Sequence, residues 1–172
     1  APPRMPLFGG GSVNRAVARA AATLGCAVEV VQTRRDFCSP ERFPMARRFY
    51  LDEDLIAALN QVEIDDNTYI LIATSDDDIR ALNAIIGSQP AYLGMLGSKR
   101  KVAVAVAGLR ERGISEGDIS SLRAPVGLDI GAQTPQEIAV SIMAEILKLK
   151  SGRTGLPLQG MTKDLVVIRG AG

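Results

Sequence analysis

The stretch "LFGGGSVNRAVARAAATLGCAVEVVQTRR", residues 7–35, decides how the rest of the chain is read. A short apolar run (5–8) enters three glycines, Gly9 to Gly11, and an alanine-rich stretch of helical character follows over 13–24. Gly25 stops that helix, and 27–31 (AVEVV) form a second strand candidate. Strand, glycine turn, helix and strand within about 30 residues make the βαβ unit that binds dinucleotides. In such a unit the first glycine, here Gly9, makes the tight turn. Gly11, two residues on, lets the backbone approach a pyrophosphate. The first helical amides, from Ser12 and Val13, offer donors and a partial positive charge. Two positions depart from the pattern. Asn14 stands where a third glycine lets helix and strand pack closely, and its amide can bond a ligand or cap the helix. Gln32 stands where Asp or Glu accepts a ribose hydroxyl, and can bond the ribose only without charge assistance.

Downstream, strand and helix patterns alternate. Residues 34–47, with Pro40 and Pro44, read as a loop; 48–51 form a brief strand and 53–61 a helix. "TYILIAT" (68–74) is the central strand, followed by a helix over 77–86, a strand over 91–95 and a basic helix over 98–112. "SEGDISSL" (115–122) reads as turns. Thr134, Pro135 and Glu137 form a T-x-x-E capping box with Pro at the first helical position, opening a helix to residue 150. This alternation predicts an α/β fold: a Rossmann-like, doubly wound, mainly parallel sheet with helices on both faces. Function is expected at the C-terminal edge of the strands. Residues 1–150 are expected to form the nucleotide-binding domain and 151–164 a linker. "LVVIRGAG" (165–172) reads as the truncated start of a following domain, or as a terminal strand on the sheet edge.

Composition narrows the chemistry. The 172 residues are 47% hydrophobic and 23% charged, with a formal net charge of +1, so neither a nucleic-acid nor a membrane surface is expected. The chain contains no histidine. That removes Ser-His-Asp and Cys-His catalysis, histidine bases and histidine metal ligands. Two cysteines, Cys26 and Cys38, lack C-x-x-C spacing, which fits a reduced, cytoplasmic setting and argues against a zinc site. No catalytic residue and no metal ligand is assigned.

Further candidates sit in the later loops. Arg34 and Arg35 follow Gln32 and either bind a 2′-phosphate, setting NADP ahead of NAD, or stand as solvated loop charges. Thr74 and Ser75 end the central strand as binding candidates, whereas Asp77 and Asp78 read as first-turn acids favoured by the helix dipole. "GMLGSKRK" (94–101) places Gly94 and Gly97 around a strand exit, Ser98 as a cap, and Lys99, Arg100 and Lys101 in a first helical turn. Cations there oppose the dipole unless an anion binds. "GLDIGAQTP" (127–135) brings Asp129 and Gly131 to the same edge, Asp129 either accepting from a ligand or ordering its own loop.

Together these residues resemble the C-terminal Rossmann domain of the XdhC/CoxI family, in particular its YqeB-type branch associated with selenium-dependent molybdenum hydroxylases. The resemblance covers nearly the whole chain. It rests on "GGGSVNRA" (9–16), "AYLGMLGSKRKV" (91–102), "LRAPVGLDIGAQTPQEIAVSIMAEIL" (122–147) and "DLVVIRGAG" (164–172). It implies an accessory protein of molybdenum hydroxylase maturation that protects or inserts molybdenum cofactor, with this domain binding a nucleotide and not catalysing by itself. The implied ligands are NAD(P) or another nucleotide, and molybdopterin or its cytosine dinucleotide. The implied partners are the hydroxylase apo-enzyme and a sulfur- or selenium-transfer protein, with a homodimer as a further possibility. Many relatives carry GAGH where this chain has Gly9-Gly10-Gly11-Ser12, and T-H-D where it has Thr74-Ser75-Asp76, so a histidine-dependent role does not carry over. The family's cysteine-bearing N-terminal domain does not appear in these 172 residues, so cofactor insertion by this segment alone is not expected. Two other readings compete: an NAD(P)-dependent oxidoreductase, against which the lack of a Y-x-x-x-K pair counts, and a structural docking domain for a partner enzyme.

Overall fold

A computed structural model describes residues 1–161. Six strands form one sheet: β1 (Arg4–Phe8), β2 (Ala27–Gln32), β3 (Arg48–Leu51), β4 (Tyr69–Ile72), β5 (Tyr92–Met95) and β6 (Leu122–Arg123). Six helices connect and cover them: α1 (Ser12–Thr23), α2 (Leu55–Asn60), α3 (Asp78–Ile85), α4 (Lys99–Glu111), α5 (Glu116–Ser121) and α6 (Pro135–Ser151). The spatial order is β3-β2-β1-β4-β5-β6 and every pairing is parallel. This is the doubly wound order, in which the winding reverses between β1 and β4.

The strand period sorts side chains to the two faces. Met5, Leu7, Val28, Val30, Leu71 and Tyr92 meet α1 and α6 through Val17, Ala21, Ile142 and Ile146. Phe8, Val31, Ile70, Ile72, Leu93 and Met95 meet the opposite layer through Leu55, Leu82, Ala105 and Leu109. The alanines of α1 let it lie close to both the sheet and α6, its neighbour on that face.

Pro6 is buried in a central strand, where its missing N–H ordinarily disqualifies it. The β1–β2 ladder runs unbroken from Arg4 to Phe8. The β1–β4 pairing instead consists of an isolated bridge, Arg4 to Thr68, and resumes only at Leu7. The gap at Pro6 thus falls on the β4 side, and β1 keeps its full pairing with β2.

The alternation expected from sequence is observed, with one local correction. "SEGDISSL" is not a run of turns: it forms α5 and then β6, the edge strand. Ser115 caps α5 by accepting at its hydroxyl from Asp118 N–H (3.1 Å), Arg110 pairs with Glu116 (2.8 Å), and Ile119 is buried. The expected loop at 34–47 contains one turn of 3-10 helix, Arg35–Phe37. No helix among the described residues is long and apolar enough to cross a membrane. The strand reading of 165–172 lies outside the described residues.

The capping box forms as its spacing implies. Thr134 Oγ1 accepts from Glu137 N–H (3.1 Å), while Glu137 Oε1 accepts from the N–H groups of Gln133 (2.9 Å) and Thr134 (3.3 Å). Those two backbone bonds hold the Glu137 carboxyl below its ordinary 4.5. Thr134→Ala is expected to lower stability by about 1 kcal/mol, read as an earlier urea midpoint at unchanged slope. A depressed carboxyl contributes above its unfolded value and loses that contribution as pH falls through the folded one. Glu137→Gln is therefore expected to destabilise at neutral pH, with the gap to wild type closing below pH 4.5.

Candidate functional site

Where the winding reverses, helices leave β1 and β4 toward opposite faces and a crevice opens between their C-terminal ends. Here it is a cleft of about 280 Å³, lined by residues 9–14 after β1, by 31–34 at the end of β2 and Phe37 beyond it, by 73–77 after β4, and by Leu55 and Leu96.

The three glycines of its floor have different reasons to be glycine. Gly9 has φ +113°, and a Cβ there would collide with the Ala73 carbonyl across the switch point. A Cβ on Gly10 would meet the Phe37 backbone and lie 2.6 Å from its Cβ. Gly11 has ordinary extended backbone (φ −77°) and nothing within 4 Å of a built Cβ. Only Gly11 borders open space. It is also the N-cap of α1, where no side chain caps the helix and the first turn carries no acid. α2, α4 and α6 all receive side-chain caps, from Asp54, Ser98 and Thr134. The leading amides of α1 therefore face the cleft region without a side-chain acceptor, a ready anion site.

Asn14 neither caps α1 nor offers its amide nitrogen to a ligand. It is 1% exposed, and Nδ2 donates to the carbonyls of Phe8 (3.0 Å), Gly9 (2.9 Å) and Ala73 (3.3 Å). The side chain fastens the first turn of α1 to the ends of both β1 and β4.

At the end of β2, Gln32 Oε1 accepts from Thr33 N–H (2.8 Å) and Arg34 N–H (3.2 Å). Arg34 pairs with Asp36 (3.2 Å) and lies 4.6 Å over the Phe37 ring. Arg42 lies 5.0 Å over the same ring and donates Nε to Gly10 O (2.6 Å), joining the 34–44 loop to the glycine turn.

At the end of β4, the Thr74 hydroxyl donates to Asp78 Oδ1 and accepts from Asp77 N–H (2.9 Å). Asp78 is a first-turn acid of α3, as its place in the sequence implied, but a buried one: it is 2% exposed, accepts from Thr74 N–H (2.7 Å), and pairs with Lys101 from the start of α4. Ser75, exposed at the tip, is the hydroxyl left free there. Lys101 thus uses its charge inside the protein, while Lys99 and Arg100 are exposed and make no ion pair among the described residues.

Of the residues expected at the site, Gly9, Gly11, Ser12, Val13, Asn14, Gln32, Arg34, Thr74 and Ser75 line one cleft. Gly94, Gly97, Ser98, Lys99, Arg100, Asp129 and Gly131 do not line it. Gly94 sits buried in β5, where a Cβ would strike the Tyr92 ring at 2.7 Å and Val126 at 2.8 Å. Tyr92 in turn donates to Glu145 (2.8 Å), and burial, then that carboxylate, push its pKa well up. Ser98 caps α4 by accepting from Lys101 N–H (3.2 Å). Phe37, Leu55 and Leu96 line the cleft and were passed over by sequence reading, as was Arg42, which braces the glycine turn from outside it. The one available signal was an aromatic flanked by arginines just after β2.

Burial raises both free thiols, Cys26 and Cys38, away from the thiolate form. No group of three acidic, histidine or cysteine side chains fit to hold a metal ion occurs among the described residues. Asn14→Ala is expected to cost about 1–3 kcal/mol, since the Gly9 and Ala73 carbonyls lose their side-chain donor while Phe8 O keeps the Ala73 N–H. Asn14→Asp should be at least as damaging near pH 8 and partly recover near pH 5, where a protonated carboxyl can donate again. Urea denaturation at both pH values checks this.

Comparison with known proteins agrees with this geometry. The family model described as the XdhC Rossmann domain matches residues 5–146. YqeB, an uncharacterized protein of Escherichia coli, is 44% identical over 174 residues, covering 99% of this chain and 32% of that protein. A Bacillus subtilis protein described as a probable xanthine dehydrogenase subunit is 32% identical over 86% of this chain and 43% of its own length. The molybdenum cofactor insertion chaperone PaoD of E. coli is 31% identical over 56% of this chain and 31% of its own. The crystal structure of a xanthine dehydrogenase from Bacillus halodurans superposes with a TM-score of 0.76 at 28% identity, covering 94% of this chain and 45% of that one. The chain spans less than half the length of each of these proteins. With a parallel sheet wound 3-2-1-4-5-6, a glycine-floored cleft at the switch point and a match over most of its length, the chain belongs to the XdhC Rossmann-domain family.

Proposed function

We propose that this domain is the nucleotide-binding module of an accessory protein that matures molybdenum hydroxylases in the cytoplasm, without catalysing a reaction by itself. Residues 1–150 are the working module of a longer protein in this reading. The observation that carries the binding half is the open space over Gly11 beside the side-chain-free N-terminus of α1. A Cβ would enter the very volume a diphosphate needs, and the Ser12 and Val13 amides would hold that diphosphate. Gln32 and Arg34 would flank a ribose, with Ser75 on the opposite wall. The maturation half rests on family membership and on relatives that include a molybdenum cofactor insertion chaperone. NAD(P) and the cytosine dinucleotide of molybdopterin both carry the required diphosphate. The partners in this reading are the hydroxylase apo-enzyme and a sulfur- or selenium-transfer protein.

Equilibrium dialysis of the chain against NAD(P), cytidine nucleotides and molybdopterin dinucleotide tests the binding half. At least one is expected to bind, and Gly11→Val should weaken it by about tenfold or more at temperatures where the variant is folded; because Gly11 is the N-cap of α1, valine there is also expected to lower stability by about 1 kcal/mol. Retention of none would end the reading. For the maturation half, cells lacking the parent protein are expected to accumulate hydroxylase without its cofactor; full loading there would count against it.

A further inference from the structure

We infer that the cleft selects a nucleotide whose ribose carries a 2′-phosphate over one whose 2′-hydroxyl is free. This rests on the nucleotide-binding reading and specifies its ligand. The usual acid at the end of the second strand serves a free ribose because a carboxylate only accepts, and the hydroxyl donates to it. Gln32 occupies that place, and what matters is which half of its amide remains available. Its Oε1 is taken by the N–H groups of Thr33 and Arg34, at 2.8 and 3.2 Å. Two backbone donors converging on one atom also settle which end of the amide is oxygen. The half left for a ligand is Nε2, which donates to nothing among the described residues. A corner that presents an acceptor in related folds here presents a donor.

The surroundings reinforce that polarity. Arg34, two residues on, lines the same cleft and is held 4.6 Å over the Phe37 ring. Its partner Asp36 does not block it. Both side chains are about two-thirds exposed, at 65% and 66%, and a solvated pair of this kind yields readily to a doubly charged phosphate. Two donors, one of them cationic, thus line the β2 end of the cleft; Asp36 there is already paired, and the cleft's own carboxylates, Asp76 and Asp77, belong to the β4 end. A phosphate ester satisfies both, whereas a hydroxyl meets donors it can answer only as a weak neutral acceptor.

The test compares NADP with NAD, and 2′,5′-ADP with ADP, by calorimetry on the unmodified chain, on Gln32→Glu and on Arg34→Ala. The phosphorylated member of each pair is expected to bind at least tenfold more tightly. Gln32→Glu keeps one oxygen for the two backbone donors and turns the free end into an acceptor, so it should reverse the preference with the melting temperature maintained. Arg34→Ala should narrow the preference toward unity. Equal binding within a pair, or tighter NAD and ADP, overturns the inference and leaves the nucleotide reading standing. Binding of a cytidine nucleotide with all four adenine ligands silent does the same. Binding of no nucleotide at all removes both.

Discussion

The side-chain amide of Asn14 is the fastening on which the functional edge depends. A doubly wound sheet has an unavoidable weak place at its switch point, where the chain leaves two adjacent strands toward opposite faces. The carbonyls at the ends of β1 and β4 turn toward this crevice; Phe8 O is met by Ala73 N–H, while those of Gly9 and Ala73 need other donors. One Nδ2 reaches three of them, at Phe8, Gly9 and Ala73. Because Asn14 belongs to the first turn of α1, the same bonds set where that helix starts relative to both strands. A glycine at this place brings helix and strand together by having no side chain; asparagine does so with a polar tether.

A second fastening holds the other wall. Asp78, buried at the start of α3, gathers the Thr74 backbone and hydroxyl and the Lys101 ammonium, tying the loop after β4 to the start of α4. Isolated, such a carboxylate would be costly to bury; with three donors it is satisfied. The cleft therefore lies between two anchored walls of opposite character. The β2 side presents Gln32, Arg34 and the Phe37 ring, and the β4 side presents Ser75, Asp76 and Asp77.

The fold was legible because its signals are local and repeated. Strand runs such as 68–74 alternate with helical stretches, and a capping box depends only on residues three apart, so Thr134 and Glu137 declared their helix from spacing alone. α5 was not legible, because six residues are too few to show a 3.6-residue period and its support comes from Arg110 and from the burial of Ile119. The candidate site was legible where it follows directly from strand ends. Glycines after β1, Gln32 and Arg34 after β2, and Thr74 and Ser75 after β4 line one cleft because parallel strands deliver their C-termini to one edge. Of the stretch around Gly94 and Lys99 only Leu96 reaches the crevice, and that around Asp129 does not line it, a matter of distance across the sheet that residue types do not encode.

Taken alone, then, the amino-acid order determined the alternation of elements, the winding class and the glycine turn, since each arises from periodicity, propensity and short-range sterics. Tertiary structure decided what individual polar groups do. Asn14 became a tether because Ala73, 59 residues away, ends a neighbouring strand. Asp78 became a buried anchor because Lys101 reaches it across two loops. Gln32 became a donor because its own loop turns two N–H groups back onto its oxygen. Hydrogen bonds are short, directional and saturable, so which half of an amide remains for a ligand is known only once the chain has been folded around it.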